Sequence, residues 1–247
     1  MSDTVSVIIP TYNGLTYLKP CLESIERNTK WPFEVVIVDN GSEDGTQDWV
    51  VNAGFKMDGQ FVRNEQNEGF AKANNKGVSV AKGDFICLLN NDTIVTENWL
   101  TEMMNVFSEE KACGAVGAKL VHPGKGTIQH AGIVELSSGM PDHIYFNASM
   151  DDKRVMERKQ YFGVTGACLL TPKQLYKELG GLDEAYVNGW EDMDLMQKLH
   201  RAGYRVYYEP KALVYHYESR TPGRYSHENK NFTLYMERWI YGRNAVK

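Results

Sequence analysis

The sequence predicts an α/β fold with a mainly parallel central sheet and helices on both of its faces. Three observations carry this. Short runs of β-branched and apolar residues alternate with segments whose apolar residues recur at helical spacing. The runs have no polar side, as expected of strands covered on both faces. Polar residues gather where the runs end, which is the edge where right-handed crossovers place ligands in such sheets.

The elements follow in order. Val5-Ser6-Val7-Ile8-Ile9-Pro10 reads as a strand closed by proline, and Leu15, Leu18, Leu22 and Ile25 then recur at helical spacing. Residues 35–38 form a second strand, Asn40-Gly41-Ser42 a turn, and 44–51 a helix. Phe61-Val62 gives a third strand, 69–80 a third helix, and 85–89 a fourth strand. In the second half, 116–121 and 128–136 read as strands around a glycine-rich turn, and the polar stretch 141–157 as a mobile loop. Residues 167–171 form a strand, 172–179 a short helix ended by Gly180-Gly181, and 191–202 a longer helix ended by Gly203. Segments 204–209 and 212–216 are strands. The tail 221–247 interleaves aromatic and basic residues and reads as a helix docking on the domain or on something else. The chain has no repeat, low-complexity tract or linker, so its 247 residues are expected to form one domain, divided at 1–119, 120–220 and 221–247.

Composition narrows the function classes. Twenty-seven Lys and Arg against 32 Asp and Glu give a formal charge of -5, with no basic stripe, so nucleic acid is excluded as the expected partner. Cys21, Cys87, Cys113 and Cys168 are scattered without a Cys-x-x-Cys pair, which suggests neither a zinc site nor a disulfide framework. The N-terminus lacks a basic, apolar leader, and no apolar run approaches the roughly 18 residues of a membrane span. The expectation is a soluble, cytoplasmic protein, with peripheral contact at the inner face of a membrane left open.

Three acidic clusters fall where this topology puts ligands. Asp39 ends the second strand, where a carboxylate can accept hydrogen bonds from a base or ribose. It is equally a turn residue by type, and Asp44 a helix N-cap. Asn90-Asn91-Asp92 ends the fourth strand. A hard cation such as Mg2+ or Mn2+ often takes only one or two carboxylates plus substrate phosphates, so Asp92 can suffice, although the same residues also serve as a strand-end cap. On the helix opened by Glu191-Asp192, Asp192 shares a stripe with Leu195, Met196 and Leu199, which faces it toward the cleft. Glu191 and Asp194 are accounted for by the positive helix end. His216, ending an apolar strand, is either a structural residue or a metal ligand. No Gly-x-Gly-x-x-Gly follows the first strand, which argues against a dinucleotide-binding site.

Taken together these segments resemble the inverting glycosyltransferases of family 2, which have the GT-A fold, a Rossmann-like arrangement. Ile8-Ile9-Pro10-Thr11-Tyr12-Asn13 resembles the family's opening strand, and Val38-Asp39-Asn40-Gly41-Ser42-Glu43-Asp44-Gly45-Thr46 its second-strand motif. Asn67-Glu68-Gly69-Phe70, with Asn74 and Gly77, is similar to the segment before the fourth strand. Gly181-Leu182-Asp183-Glu184 followed by Glu191-Asp192 is similar to the acceptor-side motif. The match runs in order over residues 5–217.

The resemblance implies a nucleotide held by Pro10, Thr11, Tyr12, Asn13, Asp39, Asn67, Gly69, Asn74, Asn90 and Asn91. It implies a divalent cation, Mn2+ or Mg2+, on Asp92 with His216 as a further ligand, and Asp192 as the catalytic base with Glu191 beside it. The donor would be a UDP- or dTDP-sugar and the acceptor a glycan or lipid-linked glycan, with 1–119 the donor half and 120–220 the acceptor half. One departure stands out: the family's Asp-X-Asp is here Asn90-Asn91-Asp92, which keeps only the last carboxylate and implies weaker metal affinity. Two rival readings are a non-catalytic nucleotide-sugar-binding module and a nucleotide-sugar pyrophosphorylase. The latter needs a Gly-rich, basic phosphate loop, which Tyr12-Asn13-Gly14-Leu15 is not.

Overall fold

A computed structural model describes residues 3–54, 57–218 and 227–242. The first half alternates strand and helix: β1 (Val5–Thr11), α1 (Leu15–Asn28), β2 (Phe33–Asp39), α2 (Thr46–Trp49), β3 (Gly59–Arg63), α3 (Phe70–Val80) and β4 (Phe85–Leu89). A short β5 (Thr93–Val95) and α4 (Trp99–Glu109) lead to the long β6 (Cys113–His122). Then come β7 (Thr127–His130), β8 (Ile133–Glu135), β9 (Pro141–His143), β10 (Lys159–Tyr161), β11 (Cys168–Pro172) and α5 (Lys173–Glu178). The chain closes with α6 (Glu191–Arg201), β12 (Arg205–His216) and α7 (Glu228–Tyr235), which continues as a π-helical turn, Met236–Tyr241.

The main sheet runs β10-β12-β6-β11-β4-β1-β2-β3. Its first half is parallel, with β1 pairing β2 from Val5 opposite Phe33 to Thr11 opposite Asp39, so both strands end at one edge. The apolar runs behave as their sequence requires. Val5, Val7 and Ile9 pack with Leu18, Leu22 and Ile25 of α1, while Ile8, Val36 and Val38 pack with Ala71, Ala73 and Val78 of α3. Such alternation over two covered faces leaves the strands almost wholly apolar, and the polar exceptions at the start of β1 and β2, Ser6 and Glu34, are buried and bonded to each other. α3 approaches the sheet closely at Gly77, where a Cβ would stand 2.5 Å from Ile8 Cγ2 and 3.0 Å from Val38 Cγ2.

The second half is mixed, not parallel: β11 pairs antiparallel with both β4 and β6, while β12 lies parallel to β6. An antiparallel strand beside β4 brings the residues that precede β11 to the edge where β4 ends. Segments 204–209 and 212–216 prove to be one strand, β12, whose register shifts between Glu209 and Leu213. Segment 128–136 is two strands in different sheets, broken where Gly132 takes φ +116° under the Tyr161 ring. The polar stretch 141–157 is not a loose loop. Ile128 N–H donates to Ala148 O (2.8 Å), Met150 N–H to Gly126 O (2.9 Å), and the buried Val155 lies under Tyr208, whose hydroxyl donates to its carbonyl (2.9 Å). The helix expected over 44–51 is α2 followed by a π-helical stretch, Val50–Gly54. Of the tail, 228–241 is helical, and 219–226 and 243–247 lie outside the described residues. No helix among the described residues is long and apolar enough to cross a membrane.

Candidate active site

β1 and β4 are neighbours, while the chain crosses from β1 to β2 on the other side, so the order of the sheet reverses between β1 and β4. A crevice opens at such a reversal, outside the strand C-terminal ends. It is lined here by Pro10, Thr11 and Tyr12 after β1, Asn90, Asn91 and Asp92 after β4, Thr165, Gly166 and Ala167 before β11, and Asn188, Gly189, Glu191 and Asp192 at the start of α6. Asn40, Asn67 and Phe70 complete the wall. Asn91 Nδ2 donates to Thr11 Oγ1 (2.9 Å) and ties the two strand ends together.

The antiparallel β11 matters for Asp192. Its leading residue Gly166 donates its N–H to Asp192 Oδ2 (3.0 Å), and Met193 N–H donates to Oδ1 (2.9 Å). The carboxylate is thus fixed at the positive end of α6 while facing the cleft, with Leu195, Met196 and Leu199 buried along the same stripe. Glu191 turns the other way in function: its Oε2 accepts from Gly189 N–H (2.6 Å) and braces the loop before the helix.

A second group lies beside the first. Asp92 Oδ1 stands 3.0 Å from His216 Nε2, and both residues are buried. His216 Nδ1 is 2.6 Å from Gln129 Oε1, and Gln129 Nε2 donates to Glu218 Oε2 (3.1 Å). An oxygen on that side keeps the ring hydrogen on Nδ1 and leaves a lone pair on Nε2. A carboxylate and a lone pair at 3.0 Å repel unless a cation or proton stands between them. Asn90 Nδ2 also reaches Nε2 (3.1 Å), and Asn90 Oδ1 is buried without a partner. Among the described residues no group of three or more His, Cys, Asp and Glu side chains gathers to hold a metal, so Asp92 and His216 offer two donors and a divalent cation there would need further oxygens from outside the chain.

Thr165 and Ala167 also line a second cavity with Gln129, His130, His143, His216 and Glu218. Burial lowers the pKa of His130 well below the imidazole range, with the neighbouring His143 adding to it. Burial likewise lowers that of His143, against the pull of the Asp192, Asp142 and Glu218 carboxylates.

Four residues implied to bind nucleotide, Asn13, Asp39, Gly69 and Asn74, do not line the crevice. Asp39 is fully buried, its Oδ1 accepting from Ser42 N–H (3.0 Å) and its Oδ2 paired with Arg63. Asn13 is spent on the loop, accepting from Glu43 N–H (2.8 Å). Gly69, at φ +86°, supplies the turn into α3, and Asn74 is buried with its Nδ2 on Phe70 O (2.9 Å), one helical turn back. Asp44 does cap, but for two segments: it accepts from Leu15 N–H at α1 (2.8 Å) and from Thr46 at α2. Although burial pushes its carboxyl up, those hydrogen bonds hold it below the usual range. Arg63, Gln129 and Gly166 were not legible as site residues. Each is placed by a partner 24 to 87 positions away, which no local pattern announces.

Comparison with known proteins places this geometry. Residues 6–180 match the sequence model of Glycosyl transferase family 2. The chain is 29% identical over 227 residues to the O-antigen biosynthesis protein RfbC of Myxococcus xanthus, covering 87% of this chain and 17% of that protein. It is 24% identical over 245 residues to the N-acetylglucosaminyl-diphospho-decaprenol L-rhamnosyltransferase of Mycobacterium tuberculosis, covering 91% of this chain and 79% of that one. The chain spans less than half the length of the first curated relatives it matches. Among solved structures, GalNAc-T7 with UDP, GalNAc and Mn2+ superposes with a TM-score of 0.74 at 20% identity, over 96% of this chain and 49% of that one. That likeness establishes the GT-A fold, and the sequence match establishes that the chain belongs to glycosyltransferase family 2.

Proposed function

We propose that this chain transfers a sugar, with inversion, from a UDP- or dTDP-sugar to an acceptor hydroxyl in the synthesis of a surface polysaccharide. The observation that carries the reading is Asp192: a carboxylate held by two backbone N–H groups, facing the same crevice as the β1 and β4 strand ends and the Asp92–His216 pair. Residues 1–119 then bind the donor and 120–220 the acceptor. The nucleotide lies along Pro10 to Tyr12 with Asn67, Asn90 and Asn91, while Asp39 acts from behind through Arg63 and Asn13, Gly69 and Asn74 shape the loops. A glycan or lipid-linked glycan enters by the second cavity, where neutral His130 and His143 offer hydrogen bonds to hydroxyls. The names of the relatives, O-antigen biosynthesis and rhamnosyl transfer to a decaprenol-linked sugar, support this acceptor class.

The chemistry follows from the residues. Asp192 accepts the proton of the acceptor hydroxyl as its oxygen forms the new bond to the anomeric carbon, and the nucleoside diphosphate leaves on the opposite side. A divalent cation, Mn2+ or Mg2+, held by Asp92 and His216, would neutralise charge gathering on the diphosphate. Gln129 fixes the His216 tautomer for that role. Loss of a general base typically lowers turnover by ~10²- to 10⁴-fold. Asp192→Asn is therefore expected to cut transfer, assayed over a panel of UDP- and dTDP-sugars, by at least ~10²-fold. UDP affinity by calorimetry should stay as it is. Near-normal transfer by Asp192→Asn, with Glu191→Gln inactive, would move the base to Glu191; loss of nucleotide binding would make Asp192 a binding residue.

A further inference from the structure

The loop that leads into α6 is strained. Asn188, Gly189 and Trp190 stand in succession at φ 55°, 134° and 76°. Non-glycine residues in the left-handed region are disfavoured by contact between Cβ and the backbone carbonyl, so surrounding contacts must impose the shape. The loop is also functional surface, because Asn188 and Gly189 line the crevice. Trp190 is the N-cap of α6 and its carbonyl accepts the first helical bond, from Asp194 N–H (2.9 Å). The conformation of 188–190 therefore sets the rotation at which α6 begins, and with it the direction of Asp192.

What imposes the shape comes from α7, beyond the residues 6–180 matched by the family model. Asn231 is fully buried. Its Oδ1 accepts from Val187 N–H (3.2 Å), and its Nδ2 donates to Val187 O (2.8 Å) and Gly189 O (3.0 Å). Only a carboxamide of this length offers an acceptor and two donors at one point, so Asn231 satisfies backbone groups that the irregular loop cannot pair for itself. Phe232 and Tyr235 hold the Trp190 ring at centroid distances of 5.5 and 5.0 Å. One turn on, Trp239 Nε1 donates to Asp194 Oδ1 (2.7 Å), which fixes α6 itself. We propose that Asn231 is a positioning residue for the transfer reaction, holding loop 187–190 so that α6 presents Asp192 to the acceptor hydroxyl. This rests on the reading of Asp192 as the base.

The test uses the full chain and two readouts. In Asn231→Ala, hydrogen exchange of the peptide covering 183–195 should accelerate at least tenfold while strands 5–11 and 33–39 keep wild-type exchange. The kcat for transfer should fall at least tenfold, with UDP affinity in Mn2+ within twofold of wild type. In the Asp192→Asn background the same substitution should cause no further loss, because a residue that acts through Asp192 has nothing left to position. Wild-type exchange in 183–195, an unchanged kcat, or a full additional loss in the double variant would each overturn the proposal. Should Asn231→Ala fail to fold, Phe232→Ala removes a half-exposed ring from Trp190 and should shift exchange and kcat in the same direction; no change in either would overturn it. Full transfer by Asp192→Asn alone would instead refute the base assignment, whatever Asn231 does.

Discussion

Glu34 is 3% exposed, yet it stays charged because its surroundings donate to it. Ser6 Oγ donates to Oε1 (2.6 Å), Lys82 N–H to the same oxygen (2.5 Å) and Gln60 Nε2 to Oε2 (3.4 Å), which ties β1, β2, β3 and the connection from α3 to β4 together. Burial pushes the carboxyl up, but these hydrogen bonds outweigh it and hold the pKa below the ordinary glutamate value. A folded pKa below the unfolded one means stability that is present above the unfolded value and lost as the pH falls through the folded one. Glu34→Gln should thus cost about 2 kcal/mol at pH 7, the worth of a hydrogen-bonded buried charge. Urea unfolding should show the gap to wild type closing as the pH falls below about 4. A gap that is constant with pH would mean that Glu34 is not ionised. At this scale the sequence was legible where chemistry is local. Asp92 and Asp192 could be placed because a strand end or a helix stripe says where they face. Arg63 and Gln129 could not, since what makes them matter is a distant partner, Asp39 for one and His216 for the other.

Elements tell the same story through packing. Gly77 in the middle of α3 would ordinarily gain about 1 kcal/mol on becoming alanine. Here the new Cβ meets Ile8 and Val38 at 2.5 and 3.0 Å, and overpacking of this kind costs about 1–3 kcal/mol. The clash should win. Gly77→Ala is expected to lower the melting temperature by about 2–4 °C, and a rise would show that α3 can back away from the sheet. The glycine was legible as part of a motif, whereas its reason, a neighbour across the layer, needed the structure. α4 shows the converse. Leu100, Met103, Met104 and Phe107 carry the helical spacing plainly, yet the segment follows a polar strand end and no element is expected there from the sequence. Strand β12 could not be recognised as continuous because Pro210 and Lys211 interrupt its apolar run. The sheet absorbs them as a register shift.

For the molecule as a whole, ligand and fold share one equilibrium. A ligand at 100 times its Kd stabilises the folded state by about 2.7 kcal/mol, which for a chain of this size is about 5–10 °C. UDP with Mn2+ should produce that shift, and EDTA should abolish it; a shift indifferent to EDTA would make Asn90-Asn91-Asp92 a cap with no metal role. The parallel half of the sheet was readable from its apolar runs, but not the antiparallel seam. β11 is no different in composition from its parallel neighbours, and direction is set by which connections the chain can make. That seam has a consequence of its own. The residues leading into it, Thr165 and Ala167, line both the crevice and the second cavity, so in the proposed reading donor and acceptor share a wall. A shared wall cannot yield to one occupant without informing the other. By thermodynamic necessity, whatever factor the donor exerts on acceptor affinity the acceptor exerts on donor affinity. In the proposed reading, choice of sugar and choice of acceptor are therefore coupled through Thr165 and Ala167, and a side chain enlarged there should alter both at once.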